Sequence, residues 1–193
     1  MDRKVYDKNI LEEFTEEFCF IIDRYCRYIV VSGFVAIASG RTRGTEDIDM
    51  IIEKISEETF EKIHKELDDA GFECLQSSLV TDLYEYLVFG NSIRYVRKGI
   101  YSPPEMELKF AKDELDELQL ATRRKIDFTD LDIWFSSVEM NIAFKEELLK
   151  SDKDIEDAKH LRIIYKEDIS EETIRDIKKM IRRLRLNERK RKS

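Results

Sequence analysis

Proline is nearly absent from this chain. The only two, Pro103 and Pro104, stand side by side, and glycine numbers six in 193 residues. A chain so poor in both shows no long flexible linker, since these residues punctuate loops and linkers. Long apolar runs are missing too. No stretch reaches the roughly 20 residues that a membrane-crossing helix needs. Met1-Asp2-Arg3-Lys4 does not lead into the apolar core of a signal peptide. The three cysteines, Cys19, Cys26 and Cys74, are odd in number and lack metal-ligand spacing. Cys19 and Cys26 fall on a helical pattern and read as core packing, and the expected compartment is reducing, hence cytoplasmic. The two histidines, His64 and His160, have no nucleophile or ligand partner in the sequence around them and read as structural or exposed.

Charge is what the chain has in excess. Asp, Glu, Lys and Arg make up 39% of it, a Glu/Lys-heavy surface of the kind thermophilic proteins carry. The net charge of −8 is unevenly spread. Ten of the 34 basic residues lie between Arg175 and Ser193, against two of the 42 acids, so that segment carries +8 and residues 1–174 carry −16. A basic block of this kind suits contact with RNA or another polyanion. Basic residues also favour a helix C-terminus and solvated chain ends for unrelated reasons.

The acids hold one local pattern of chemical interest. Asp47-Ile48-Asp49 sits in Thr45-Glu46-Asp47-Ile48-Asp49-Met50-Ile51-Ile52. On a strand, side chains at i and i+2 share a face, roughly 6.5–7 Å apart at about 3.3 Å per residue. Two carboxylates so placed repel unless cations lie between them. A pair of divalent ions about 3.5–4 Å apart fits that spacing and supports in-line phosphoryl or nucleotidyl transfer. Upstream, Tyr28-Ile29-Val30-Val31 reads as a buried strand ending at Ser32-Gly33, and residues 34–39 read as a short helix stopped by Gly40. A small-residue turn at a helix start exposes N–H groups to an anion. Gly33 leaves room for a phosphate, and the Ser32 hydroxyl is a donor. The polar loop Arg41-Thr42-Arg43-Gly44-Thr45 then leads into the acidic strand.

The remaining pattern predicts helices over residues 7–27, 56–70, 137–150, 154–165 and 170–190, strands over 72–75 and 93–96, and a helix or strand over 80–89. Three later segments are candidate strands that each carry an acid: Met106–Phe110 with Glu107, Lys125–Phe128 with Asp127, and Leu131–Phe135 with Asp132. Mixed strands first and helices last imply an α/β (α+β) fold.

Val31-Ser32-Gly33, a 13-residue spacer and Asp47-Ile48-Asp49-Met50 together resemble the DNA polymerase β-like nucleotidyltransferase superfamily, with Ser32 where glycine is usual. Gly40-Arg41-Thr42-Arg43-Gly44-Thr45-Glu46-Asp47 is similar to the stand-alone nucleotidyltransferases related to abortive-infection toxins. The resemblance implies a nucleotidyltransferase core with a mixed sheet over residues 1–136 and a C-terminal helical bundle over 137–193. It implies two Mg2+ ions on Asp47, Asp49 and a third acid. Glu107, in a segment like that family's third strand, is preferred over Asp127. It implies an NTP substrate contacted by Ser32, Gly33, Arg41, Arg43, Thr45 and Lys145, the last in a helical segment that continues into Lys153-Asp154-Ile155-Glu156-Asp157. The implied acceptor is a hydroxyl of RNA, such as tRNA, or of a protein, with an antitoxin as a further partner. The alternative is an inactive nucleotide-binding or regulatory module of the same fold.

Overall fold

The computed structural model describes residues 10–42, 47–100, 103–126 and 129–186. Arg43, Thr45, Asp127 and the tail from Asn187 therefore lie outside the described residues. The sheet is built from β1 (Tyr28–Val31), β2 (Asp47–Ile52), β3 (Phe72–Cys74), β4 (Ile93–Arg97) and β5 (Glu105–Phe110), in the order β1-β2-β5-β4-β3. Only β2 and β5 run parallel; the other neighbours are antiparallel.

Strand alternation divides the sheet into two chemically different faces. Ile48, Met50 and Ile52 of β2 and Met106, Leu108 and Phe110 of β5 enter the main core with α1 (Ile10–Asp23), α3 (Glu57–Asp69) and α4 (Val80–Val88). Phe14, Phe18, Phe72 and Tyr95 pack there edge to face, with Phe18 and Tyr95 centroids 5.4 Å apart. The opposite face carries a small apolar cluster of Ile29, Ile51, Ala111 and Leu120, with Val31 against it. Beside that cluster lie the acids. Helix α5 (Glu114–Ala121) covers the apolar part, capped by Asp113, which accepts from Leu115 and Asp116 N–H at 3.0 and 3.1 Å.

The C-terminal helices are α6 (Val138–Phe144), α7 (Asp152–Ile164) and α8 (Glu171–Ile181); α6 and α8 each run on into a π-helical turn, at Lys145–Leu149 and Arg182–Leu186. Met140, Ile142, Leu161, Ile174 and Ile177 are continuous with the main core. Helix α7 starts in a capping box formed by Ser151 and Asp154. Among the described residues, no helix is long and apolar enough to cross a membrane.

Several expectations change here. Segment 80–89 is helical. Helix α5 was not predicted at all. The strand expected over Leu131–Phe135 is reduced, among the described residues, to isolated bridges of Phe135 to Val30 of β1 and to Arg124, and the Asp127 of the other expected strand lies outside the described residues. Asp132 is exposed and ion-paired to Lys125, so it does not compete with Glu107.

Candidate active site

β2 brings Asp47 and Asp49 to the acidic face, because Ile48 and Met50 between and beyond them are drawn into the core. The parallel ladder to β5 then sets Asp49 directly beside Glu107 and Asp47 beside Glu105. Neighbouring strands lie about 4.8 Å apart, so Asp49 and Glu107 rise from adjacent backbone positions on one side of the sheet. The strand register thus puts Asp47, Asp49 and Glu107 on one sheet face.

Their electrostatics are those of crowded carboxylates. Burial pushes the Asp49 carboxyl above the usual aspartate range, and the charges of Glu107 and Asp47 push it further. Lys109 and a hydrogen bond from the Ser32 hydroxyl pull the other way without cancelling them. Glu107 is held by Arg94 of β4, with Nη2 3.1 Å from its Oε2. Arg94 also stands 4.0 Å from Glu105. Among the described residues, no three His, Cys, Asp or Glu side chains converge closely enough to hold an ion as they stand. At Glu107 the Arg94 guanidinium acts as the counter-ion. Carboxylate oxygens, the donors this half-buried face offers, are of the kind that suits a hard divalent cation such as Mg2+.

Ser32 leads into α2 (Gly33–Ala38) with φ 67° and ψ −133°. That backbone region favours glycine, which explains physically why glycine would suit the position. Gly33 is buried at the start of α2.

Lys145 and Arg41 meet far from where the local sequence placed them. Lys145 is 1% exposed, its Nζ 2.8 Å from Asp157 and 3.5 Å from Asp154. Arg41 pairs with the same Asp157, with Glu156 at 2.5 Å, and with the Lys153 carbonyl at 3.0 Å. Nearby, the Ser39 and Tyr165 hydroxyls lie 2.9 Å apart and His160 Nε2 donates to the Ser39 carbonyl at 3.0 Å. These contacts fasten the end of α2 to α7. Arg41 is therefore a tie between the Ser32–Gly33 turn and the helical region in this structure, while Lys145 reaches the wall of a cavity.

That cavity, about 260 Å³, lies between the acidic sheet face, α5 and the helical region. Val31, Ser32, Asp49, Ile51 and Lys109 line the sheet side. Lys112, Asp116 and Gln119 line the α5 side, and Asn141, Phe144, Lys145, Leu148, Leu149 and Arg185 close it. Gln119 is held by the Ser136 hydroxyl at 2.8 Å, and Asn141 donates to the Ser136 and Ser137 carbonyls at 3.1 and 2.9 Å. Sequence reasoning missed Arg94, Lys109, Lys112, Asp116, Gln119, Asn141 and Arg185 as site residues. The one local signal was the Asp113 cap of α5.

No protein-family model and no curated protein sequence matches the chain. Among solved structures it is similar to the antibiotic-resistance factor ANT(2'')-Ia, determined in solution, with a TM-score of 0.52 at 12% identity over 89% of this chain and 92% of that one. The nearer kinship with abortive-infection enzymes, implied by the segment from Gly40 to Asp47, has no counterpart in these matches. At such identity the likeness is one of fold. The five-stranded mixed sheet and the helices packed on it share that protein's α/β architecture.

Proposed function

We propose that this chain is a metal-dependent nucleotidyltransferase that moves an NMP from an NTP to an acceptor hydroxyl. The observation that carries this is the register of Asp49 with Glu107 on one sheet face, at the edge of a cation-lined cavity. Asp47, Asp49 and Glu107 would hold two Mg2+ ions, which when bound neutralise phosphate charge and acidify the attacking hydroxyl. The residues of the chain bind and orient. Ser32 fixes the Asp49 carboxylate by its hydrogen bond. The Ser32–Gly33 turn and Lys145 face the nucleotide phosphates, and Asp157 holds Lys145 against that wall. Arg41 contributes by fastening the turn to α7. Arg43 and Thr45, outside the described residues, are proposed as further contacts to the NTP.

A second reading, a nucleotide-binding or regulatory module without transfer, draws on one observation: Arg94 already neutralises Glu107. Incubation with each labelled NTP and Mg2+, with total RNA and candidate proteins as acceptors, separates the two. Labelled acceptor supports transfer; NTP binding without labelling supports the second reading.

The acceptor classes are an RNA hydroxyl, such as that of tRNA, and a protein hydroxyl, with an antitoxin as partner in a toxin–antitoxin pair. Within the described part of the basic block, the body already supplies counter-ions. Lys178 pairs with Glu146, Arg182 with Glu147, Arg183 with Glu114, and Arg185 with Asp113 and Asp116. An RNA footprint would therefore fall on Arg175 and on residues 187–193. Truncation after Leu186 removes four basic residues and Glu188. If RNA is the acceptor, its affinity falls and the salt dependence of binding becomes shallower by up to about 3 units of slope. An unchanged slope removes the tail from RNA binding and favours a protein acceptor.

A further inference from the structure

A second cavity, about 600 Å³, shares no lining residue with the one beside Asp49. It lies between residues 124–126, the start of α6, and the end of α7 with the turn that follows. Glu139 and Asn141 stand two positions apart on α6, roughly 200° around the helix. Asn141 therefore lines the first cavity and Glu139 the second. Glu139 is only 7% exposed. A carboxylate so buried is normally paired or hydrogen-bonded. That of Glu139 has neither an ion pair nor a hydrogen bond among the described residues. No fully buried side-chain oxygen among them lacks a partner, so its oxygens open onto the cavity. The neighbouring cations do not answer it. Lys125 is engaged by Asp132 and by the Trp134 ring, whose centroid is 5.0 Å from its amine. Arg124 is exposed and has no carboxylate within 4.0 Å among the described residues. Asp168, exposed and equally unpaired, adds a second negative charge. A metal ion would lack ligands, since no three acid, histidine or cysteine side chains converge among the described residues. The walls are instead apolar, formed by Ile126, Val138, Ile164 and Ile169. They suit an organic cation whose stem lies along them while its charge meets the carboxylate.

We propose that this cavity is a docking site for a protein partner, which inserts one arginine or lysine side chain to meet Glu139. The site goes beyond the transferase reading and does not depend on it. Three observations favour a protein over a small free amine. Ile163, 74% exposed, and Ile164 leave apolar surface on the last turn of α7 that a small amine would not cover. The unpaired Arg124 guanidinium offers a counter-ion to a carboxylate carried by the same partner. Residues 1–174 carry −16, which draws a basic surface towards the chain. A long basic side chain seated in a pocket and ringed by apolar contacts is a common anchor of protein interfaces.

Backbone-amide NMR titration of the full chain with the capped peptide acetyl-Leu-Arg-Leu-amide tests this without any transfer assay. Amides of residues 124–126, 137–139 and 164–169 should shift together. Replacing the peptide's arginine by its uncharged isostere citrulline should weaken binding about tenfold or more. Glu139→Gln should weaken binding of the arginine peptide to the same extent, and Asp49→Asn should leave it unchanged. The citrulline comparison is made on wild type, so it stands even if Glu139→Gln fails to fold. Equal binding of the two peptides, shifts confined to other residues, an arginine peptide indifferent to a folded Glu139→Gln, or no binding at all overturns the site. Spermidine that binds at these residues more tightly than the peptide overturns the protein partner and makes the cavity a small-amine site.

Discussion

Asp49→Asn is expected to abolish nucleotidyl transfer and, in the same protein, to preserve or raise the thermal midpoint. The two effects share one cause. Asp49 is half-buried on the acidic face, beside Glu107 and near Asp47, and these surroundings raise its carboxyl. A charge in such a place costs folding free energy unless a cation answers it. The near-isosteric amide removes that cost. It also removes a ligand from a site where metal ions contribute several kcal/mol to the transition state; about 4 kcal/mol is roughly a 10³-fold loss of rate. The pH dependence has a definite sign. A carboxyl raised in the folded state binds its proton more tightly there than in the unfolded chain, so its contribution to stability is full below the unfolded value, about 3.9. That contribution is lost as pH rises through the folded value. Metal-free wild type should therefore lose stability relative to Asp49→Asn from about pH 4 upward. Thermal melts of both proteins from pH 4 to 8, with transfer assays at pH 7.5, check this. A destabilised Asp49→Asn, or one that transfers at the wild-type rate, contradicts the assignment.

The largest loss of stability should come from Asp157→Ala. Asp157 is fully buried and receives both Lys145 and Arg41. Truncating it leaves Lys145, itself 1% exposed, with Asp154 at 3.5 Å. Breaking a buried pair from one side costs about 3–5 kcal/mol. For a chain of this length that lowers the midpoint by roughly 6–20 °C. Asp157→Ala/Lys145→Met should recover part of the loss, because it removes the stranded cation together with its partner. Denaturant melts of the single and double variants measure the coupling. A cost below about 1 kcal/mol would place the pair in the range of solvated surface bridges and remove its role as the support of the cavity wall.

Asp47 and Asp49 were legible in the sequence because strand alternation is local: two acids around one apolar residue share a face wherever the strand goes. Glu107 was legible as a candidate, but its place beside Asp49 depends on the pairing of β2 with β5, a contact across more than fifty residues that no local pattern encodes. Helix α5 escaped because its inward face includes Asp116 and Gln119, two polar residues buried into hydrogen bonds, which blur the apolar period. In residues 126–135 the alternation of Ile126, Leu131, Ile133 and Phe135 reports burial correctly, yet the ladder expected from it is absent from the described residues. The basic block was misleading in a different way. Its counter-ions Asp113, Glu114, Glu146 and Glu147 lie 32 to 72 positions away in sequence, so the charge looks unmatched until the chain folds.

The central claim is that the reaction breaks the NTP between its α- and β-phosphates. Incubating the chain with Mg2+, acceptor extract and an NTP labelled either at the α- or at the γ-phosphate tests it most directly. Acceptor labelled from the α-position alone, with the γ-label released in pyrophosphate, is the predicted result. Acceptor labelled from the γ-position, or from neither with any of the four NTPs, would contradict it.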